Sequence, residues 1–157
     1  KDNSSISDAR SFFVKKLIDN NRIVKNCDVC FVYATAFSIK IEDIKKSYKN
    51  FIYENPEYLI TATNFRYPVK RSFEIDKSNK IKMLFPKMYS KRSQDIKEVY
   101  HDASQFFWTK TDTIIKKKPV FTKKSLMYKV PINRVIDIDT PEDWEFAELM
   151  NKFIIKK

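Results

Sequence analysis

Not one of the 157 residues is glycine. Average usage near 7% would place roughly eleven in a chain of this length. Glycine reaches positive φ without steric cost, so every left-handed turn here must fall to Asn, Asp or a strained residue. The same absence removes a function class. A glycine-rich loop that lays backbone N–H groups against a triphosphate cannot be built from these residues. If nucleotide phosphates bind in that way, their cradle lies elsewhere.

The other bounds are those of one globular domain. Hydrophobic residues make up 43% and charged residues 32%, with 13 Phe and 8 Tyr available for a core. No apolar run approaches the roughly 18 residues that span a bilayer, and the polar start KDNSSISDAR has no secretory apolar region. No membrane role is expected. The first residue is Lys1 rather than Met, which reads as a piece of something longer. Net charge is +11, but the lysines are scattered and the densest run, Lys116–Lys118, is three long. An anionic small substrate fits that charge as well as nucleic acid does, and no nucleic-acid partner is expected. Cys27 and Cys30 form a C-x-x-C inside an apolar run. They read as structural cysteines of a buried strand in a reducing, cytoplasmic setting rather than as a redox or zinc pair.

Hydrophobic periodicity predicts the elements. Ile6–Ile18 is a helix with Ser7 as cap, Asp28–Thr35 a buried strand, Lys40–Tyr53 a helix stopped by Asn55-Pro56, and Glu57–Phe65 a second strand. That order implies a βαβ unit and a parallel sheet. Val69–Ile75 and Lys80–Phe85 flank a polar turn and read as a hairpin. Ala103–Trp108 is a further strand, and Ser125–Ile136 contains another, interrupted at Pro131. Thr140 caps a final helix with Pro141 in its first turn and Trp144, Ala147 and Phe153 on its core face.

Two segments look arranged for chemistry. In DIDTPEDW, Asp137 and Asp139 stand one residue apart at the end of an apolar strand, so an extended backbone points both carboxylates to one face. A Mg2+ site and a pair of solvated turn aspartates are both consistent with that spacing. In RSQDIKEVYHDASQFFW, Arg92, Gln94 and Asp95 lie upstream of Tyr100, His101, Asp102 and Gln105. Arg forms bidentate pairs with carboxylate or phosphate, while Gln and Asp read hydroxyls, and a sugar acid presents both. A polar loop between two strands would have the same composition.

RSQD and YHDASQFFW, followed by DIDTPEDW and AELM, resemble the acylneuraminate cytidylyltransferase family, in particular its branch that activates pseudaminic acid. YATA at Tyr33–Ala36, TNFRYPVKRS at Thr63–Ser72, and Ile6-Ser7-Asp8 extend the resemblance along nearly the whole chain in the right order. The resemblance implies an α/β, three-layer α/β/α Rossmann-like nucleotidyltransferase fold of the glycosyltransferase-A type. Residues 1–157 would form one domain, incomplete at its N-terminal side, with 69–108 as a hairpin and sugar-side insertion. It implies Mg2+-dependent transfer of CMP from CTP to a nonulosonic acid with release of pyrophosphate, and a homodimer. By match to the motifs, Asp137 and Asp139 would hold the metal and, with Arg92, count as catalytic. Asp8, Tyr33, Ala34 and Thr35 would lie on the nucleotide side. Arg71, Gln94, Asp95, Tyr100, His101, Asp102 and Gln105 would line the sugar side. The departures are Ala9 for the second Asp of the family's L-S-D-D, Phe37 for a Pro, Ser104 for a Gly, and no counterpart of the glycine-containing phosphate loop. The chain alone is therefore expected to have little CTP-dependent activity. A non-catalytic remnant that binds a sugar acid or a partner chain is the alternative.

Overall fold

The computed structural model describes residues 5–155. Helix α1 (Ile6–Asp19) leads to strand β1 (Asp28–Val32), helix α2 (Ile41–Glu54) and strand β2 (Tyr58–Asn64). Strands β3 (Phe73–Ile75) and β4 (Ile81–Met83) form a separate hairpin. Strand β5 (Tyr100–Lys110), the short helix α3 (Thr111–Ile115), strand β6 (Ser125–Lys129) and helix α4 (Pro141–Ile155) complete the order. The chain is a mixed α/β protein with a parallel pair in its sheet, compatible with a Rossmann-like fold.

The main sheet runs β1-β5-β2-β6. β1 and β2 both pair antiparallel with β5 and therefore point the same way, and β6 lies parallel to β2. The expected β1-α2-β2 crossover is present, but its strands are not neighbours, because β5 inserts between them. β5 takes an inner place because Ala103, Gln105, Phe106, Phe107 and Thr109 are all buried, and a strand covered on both faces needs a continuous run of that kind.

Each face of the sheet has its own core. On one, Val14 of α1 and Ile114 of α3 pack with Tyr58, Ile60 and Phe107. On the other, Tyr48 and Phe51 of α2 lie against Trp108, with Tyr48 and Trp108 ring centres 4.4 Å apart. The Trp108 indole N–H donates to Ser47 Oγ at 3.0 Å, so the polar edge of the ring is satisfied inside the core. Burying Phe51 almost completely contributes about 1.5–3 kcal/mol.

The missing glycines are replaced as expected. Among the described residues, positive φ occurs at Asn21, Asn26, Asn55 and Asn79, and also at Ser104 and Lys117. Asn55, at φ 46°, ends α2 with its N–H on the Phe51 carbonyl, and Pro56 prevents continuation.

Several local expectations change. Ser5, not Ser7, caps α1, because Ser5 completes a reciprocal capping box with Asp8. β1 stops at Val32, where the chain turns through Thr35. Val69–Arg71 is a 3-10 turn, which shortens the first hairpin strand. β6 stops at Lys129, and Ile132–Arg134 is another 3-10 turn, so Asp137 and Asp139 sit in an irregular segment rather than at a strand end. Of Trp144, Ala147 and Phe153, expected on the core face of α4, Ala147 is buried and Trp144 and Phe153 are exposed.

Candidate functional site at the ends of the parallel strands

The sheet is irregular where the chemistry-bearing residues cluster. Ile60 pairs with Phe107 but Ala62 pairs with Asp102, so Thr61 of β2 faces the whole stretch Ala103–Phe106. The bulge leaves backbone groups without strand partners, and Thr61 supplies a substitute. Its hydroxyl donates to the Phe106 carbonyl at 2.9 Å and accepts from the Phe106 N–H at 3.2 Å. At the turn of the bulge Ser104 has φ 48°, and its N–H donates to Asp102 Oδ1 at 2.9 Å. Bulges re-aim side chains, and this one redirects Gln105.

Gln105 is buried and ties three segments together. Its Nε2 donates to Ser38 Oγ at 2.9 Å and to the Arg134 carbonyl at 2.6 Å, while Ser38 donates to the same carbonyl. Two carbonyl oxygens would face each other if the amide were flipped, so this orientation is fixed. Its Oε1 has no partner among the described residues. The Arg134 guanidinium turns the other way, to Asp43 in the first turn of α2 at 2.6 Å, and Tyr128 donates to the same carboxylate at 3.1 Å. Burial is the main cause that raises the Tyr128 hydroxyl pKa. The segment after YATA, the YHDASQ strand and the segment leading to Asp137 thus meet in one polar cluster.

Beyond Gln105, β5 carries the sugar-side candidates. His101 Nδ1 lies 2.8 Å from the Asp102 carbonyl, and the imidazole packs on Phe65 with ring centres 4.7 Å apart. Tyr100 donates to Glu98 at 2.6 Å, and that bond is the first cause lowering the Glu98 carboxyl pKa. A cavity of about 240 Å3 lies beside them, between Asn64–Lys70 and Ser93–Val99. Arg66, Lys70 and Lys97 line it with Glu98, so YPVK and Ser93 of RSQD share one basic depression, which Arg92, Gln94 and Asp95 do not line. Arg71 donates to the Lys91 carbonyl, and its buried Nε has no partner among the described residues. Arg92, Gln94 and Asp95 are exposed around the 3-10 turn Ser93–Asp95.

Asp137 and Asp139 are exposed, and no hydrogen bond or ion pair of their carboxylates occurs among the described residues. The helix cap beside them belongs to others. Thr140 and Asp143 form it, and Asp143, whose carboxyl pKa is lowered chiefly by the Thr140 hydroxyl, also accepts from the Asp139 N–H at 3.1 Å. Among the described residues no group of three His, Cys, Asp or Glu side chains could hold a metal. Two free carboxylates still suit Mg2+, which keeps several waters and takes substrate phosphates as its remaining ligands.

On the nucleotide-side list, Tyr33 points inward. Its ring meets Phe107 edge-on and its hydroxyl accepts from Arg10 at 3.0 Å, while Arg10 also lies 4.8 Å from the Phe107 ring centre. Ala34 is exposed and Thr35 half-buried. Asp8 is held by Ser5 and Lys117, and the Lys117 hydrogen bond is the first cause that lowers its carboxyl pKa to about 2. Cys27 and Cys30 are free thiols, and burial pushes Cys30 up to about 11. The sequence reading missed Ser38, Asp43, Tyr128, Arg134 and Arg10.

The fold is that of a mixed α/β protein, and the sequence comparisons are with cytidylyltransferases. The chain is a relative of curated pseudaminic acid cytidylyltransferases from two strains of Campylobacter jejuni, to each of which it is 36% identical over 124 residues, 79% of this chain and 53% of the relative. It is also 26% identical, over 113 residues, to the Helicobacter pylori protein named pseudaminic acid cytidylyltransferase and UDP-2,4-diacetamido-2,4,6-trideoxy-beta-L-altropyranose hydrolase, covering 69% of this chain and 21% of that one. The chain spans about half the length of the Campylobacter relatives it matches. No protein-family model matches it.

Proposed function

We propose that this chain carries the sugar-acid and metal side of a cytidylyl transfer, in which CMP passes from CTP to a nonulosonic acid, pseudaminic acid foremost, and pyrophosphate leaves. The observation that carries the reading is the Gln105 amide, which joins the three motif segments at one end of the sheet. The sugar's anomeric oxygen attacks the α-phosphorus, the bond to pyrophosphate breaks, and the hydroxyl proton passes to solvent or a nearby base. Arg66, Lys70 and Arg71 draw in the carboxylate of the sugar acid, with Arg92 at the rim. Gln94, Asp95, Tyr100, His101 and Asp102 read its hydroxyls. His101 orients rather than takes the proton. Asp137 and Asp139 would hold Mg2+, which supplies stabilisation of phosphoryl charge. Tyr33, Ala34, Thr35 and Asp8 belong to the nucleotide side.

The rest of the reading follows from exposure and chemistry. Phe73, Ile75 and Ile81 are exposed on the β3–β4 hairpin, and a two-stranded hairpin is marginal alone. We assign the homodimer contact there. Free thiols suit a reducing cytoplasm. No helix among the described residues is long and apolar enough to cross a membrane. A non-catalytic domain that binds the sugar acid or a partner chain is the second reading, favoured by Ala9 and by the lack of any glycine for a phosphate cradle.

Metal binding tests the site. Mn2+, as a paramagnetic stand-in for Mg2+, is titrated into the chain with CTP and pseudaminic acid present and followed by water-proton relaxation. Enhanced relaxation that is lost in both Asp137→Asn and Asp139→Asn is expected. Equal enhancement in all three proteins would remove the two aspartates from the metal site.

A further inference from the structure

The outer edge of β6 has the layout of a peptide-docking strand. β6 is the last strand of the sheet. Lys124 offers its carbonyl to the Glu57 N–H, and the Val130 N–H donates to the Ala62 carbonyl, so even-numbered residues address β2. By the two-residue alternation of a strand, the backbone N–H and C=O of Met127 and Lys129 point away from the sheet.

Apolar depressions flank that edge on both faces. On one face, Ile60, Phe121, Ser125 and Met127 line a hollow of about 560 Å3. On the other, Tyr53, Leu59 and Leu126 line one of about 680 Å3, with Met127 at the crest between them. Tyr53 is 86% exposed, Phe121 71% and Met127 44%. An added strand sends successive side chains to opposite faces, so each hollow would take one of two adjacent apolar residues. The two rims together carry more base than acid. Lys123 borders the first hollow, and Lys49 with Glu54 the second. Neither lysine has an ion-pair partner among the described residues, where Glu54 is the one acid on either rim.

We infer that the free edge of β6 binds an extended peptide segment by strand addition, with adjacent apolar residues seated in the two hollows and acidic residues flanking them. Charge selects this occupant over a second copy of the chain. The chain is +11, and pairing two β6 edges would bring one net basic edge against another.

The probe is fluorescein-labelled Glu-Glu-Val-Phe-Val-Glu-Glu, with Lys-Lys-Val-Phe-Val-Lys-Lys as its counterpart, titrated by anisotropy against the chain. Met127→Pro removes an outward N–H without touching the ladder to β2, so the fold should persist, and its circular dichroism melt checks this. Saturable binding of the acidic peptide is expected, weakened at least about tenfold by Met127→Pro and by Lys49→Glu/Lys123→Glu. Failure of the acidic peptide to bind would overturn the inference. So would equal binding of both peptides, or equal binding to a folded Met127→Pro. A self-association that Met127→Pro abolishes, without peptide binding, would assign the edge to a second copy instead.

Discussion

Gln105 Nε2 sits 2.6 Å from the backbone carbonyl of Arg134, across 29 residues of sequence. Two proposed site segments are therefore locked by a side-chain amide rather than by sheet pairing. Gln105→Leu keeps the volume and removes the donor, leaving the carbonyl dependent on Ser38 alone. A loss of about 1–3 kcal/mol is expected in urea unfolding. An unchanged midpoint would show that the amide does not hold the segments.

Arg134 and Asp43 form a nearly buried pair, 9% and 13% exposed. Arg134→Met strands the Asp43 charge and should cost about 3–5 kcal/mol. Arg134→Met with Asp43→Leu should recover a substantial part of that, since the penalty lies in the unpaired charge. If the double variant is as unstable as the single, packing rather than charge sets the cost.

Ser104 stands at φ 48°, in the region that favours glycine. Ser104→Gly relieves the conformation but loosens the unfolded chain, so it should leave stability unchanged or raise it by up to about 1 kcal/mol. Ser104→Val should lower it by more than about 1 kcal/mol. Equal stabilities of the two variants would argue against a left-handed residue there.

Asp8 gives a pH signature. Its carboxyl is held at about 2 against an ordinary 3.8, first by the Lys117 hydrogen bond and then by Ser5. A depressed folded-state value means stability that is complete above the unfolded value and lost as pH falls through 3.8 toward 2. Wild type should therefore exceed Asp8→Asn in melting temperature at neutral pH, and the two should converge in that acid window. Parallel curves down to the lowest pH would rule out the contact as the cause.

Cys30 should resist alkylation. Burial pushes its thiol up to about 11, so at about pH 8 very little is thiolate. Iodoacetamide followed by mass mapping should leave Cys30 unmodified in the folded chain and label it after denaturation. Labelling of Cys30 in the folded chain would contradict the raised pKa of its half-buried thiol.

Much of this architecture was legible because local signals agreed with each other. With no glycine, the Asn before Pro56 had to end α2, and at φ 46° Asn55 does. The apolar run through Phe106–Trp108 had to be a strand, and it is one of the two inner strands. Its insertion between β1 and β2 was not legible, since strand order depends on contacts distant in sequence. The apolar stretch before them places the aspartate pair at a strand end, yet Pro131 and the 3-10 turn after it end β6 much earlier. Ser38 and Arg134 were invisible for a different reason. Their part in the cluster runs through one hydroxyl and one backbone carbonyl, and no residue pattern marks either.

The cavity between Asn64–Lys70 and Ser93–Val99 and the two free aspartates make binding of the sugar acid itself the central claim. Isothermal titration of pseudaminic acid into the chain with Mg2+, without CTP, tests it most directly. Saturable binding is expected, at least about tenfold weaker in Arg66→Met, which removes a cation lining that cavity. No heat of binding, or equal affinity in a folded Arg66→Met, would contradict the account.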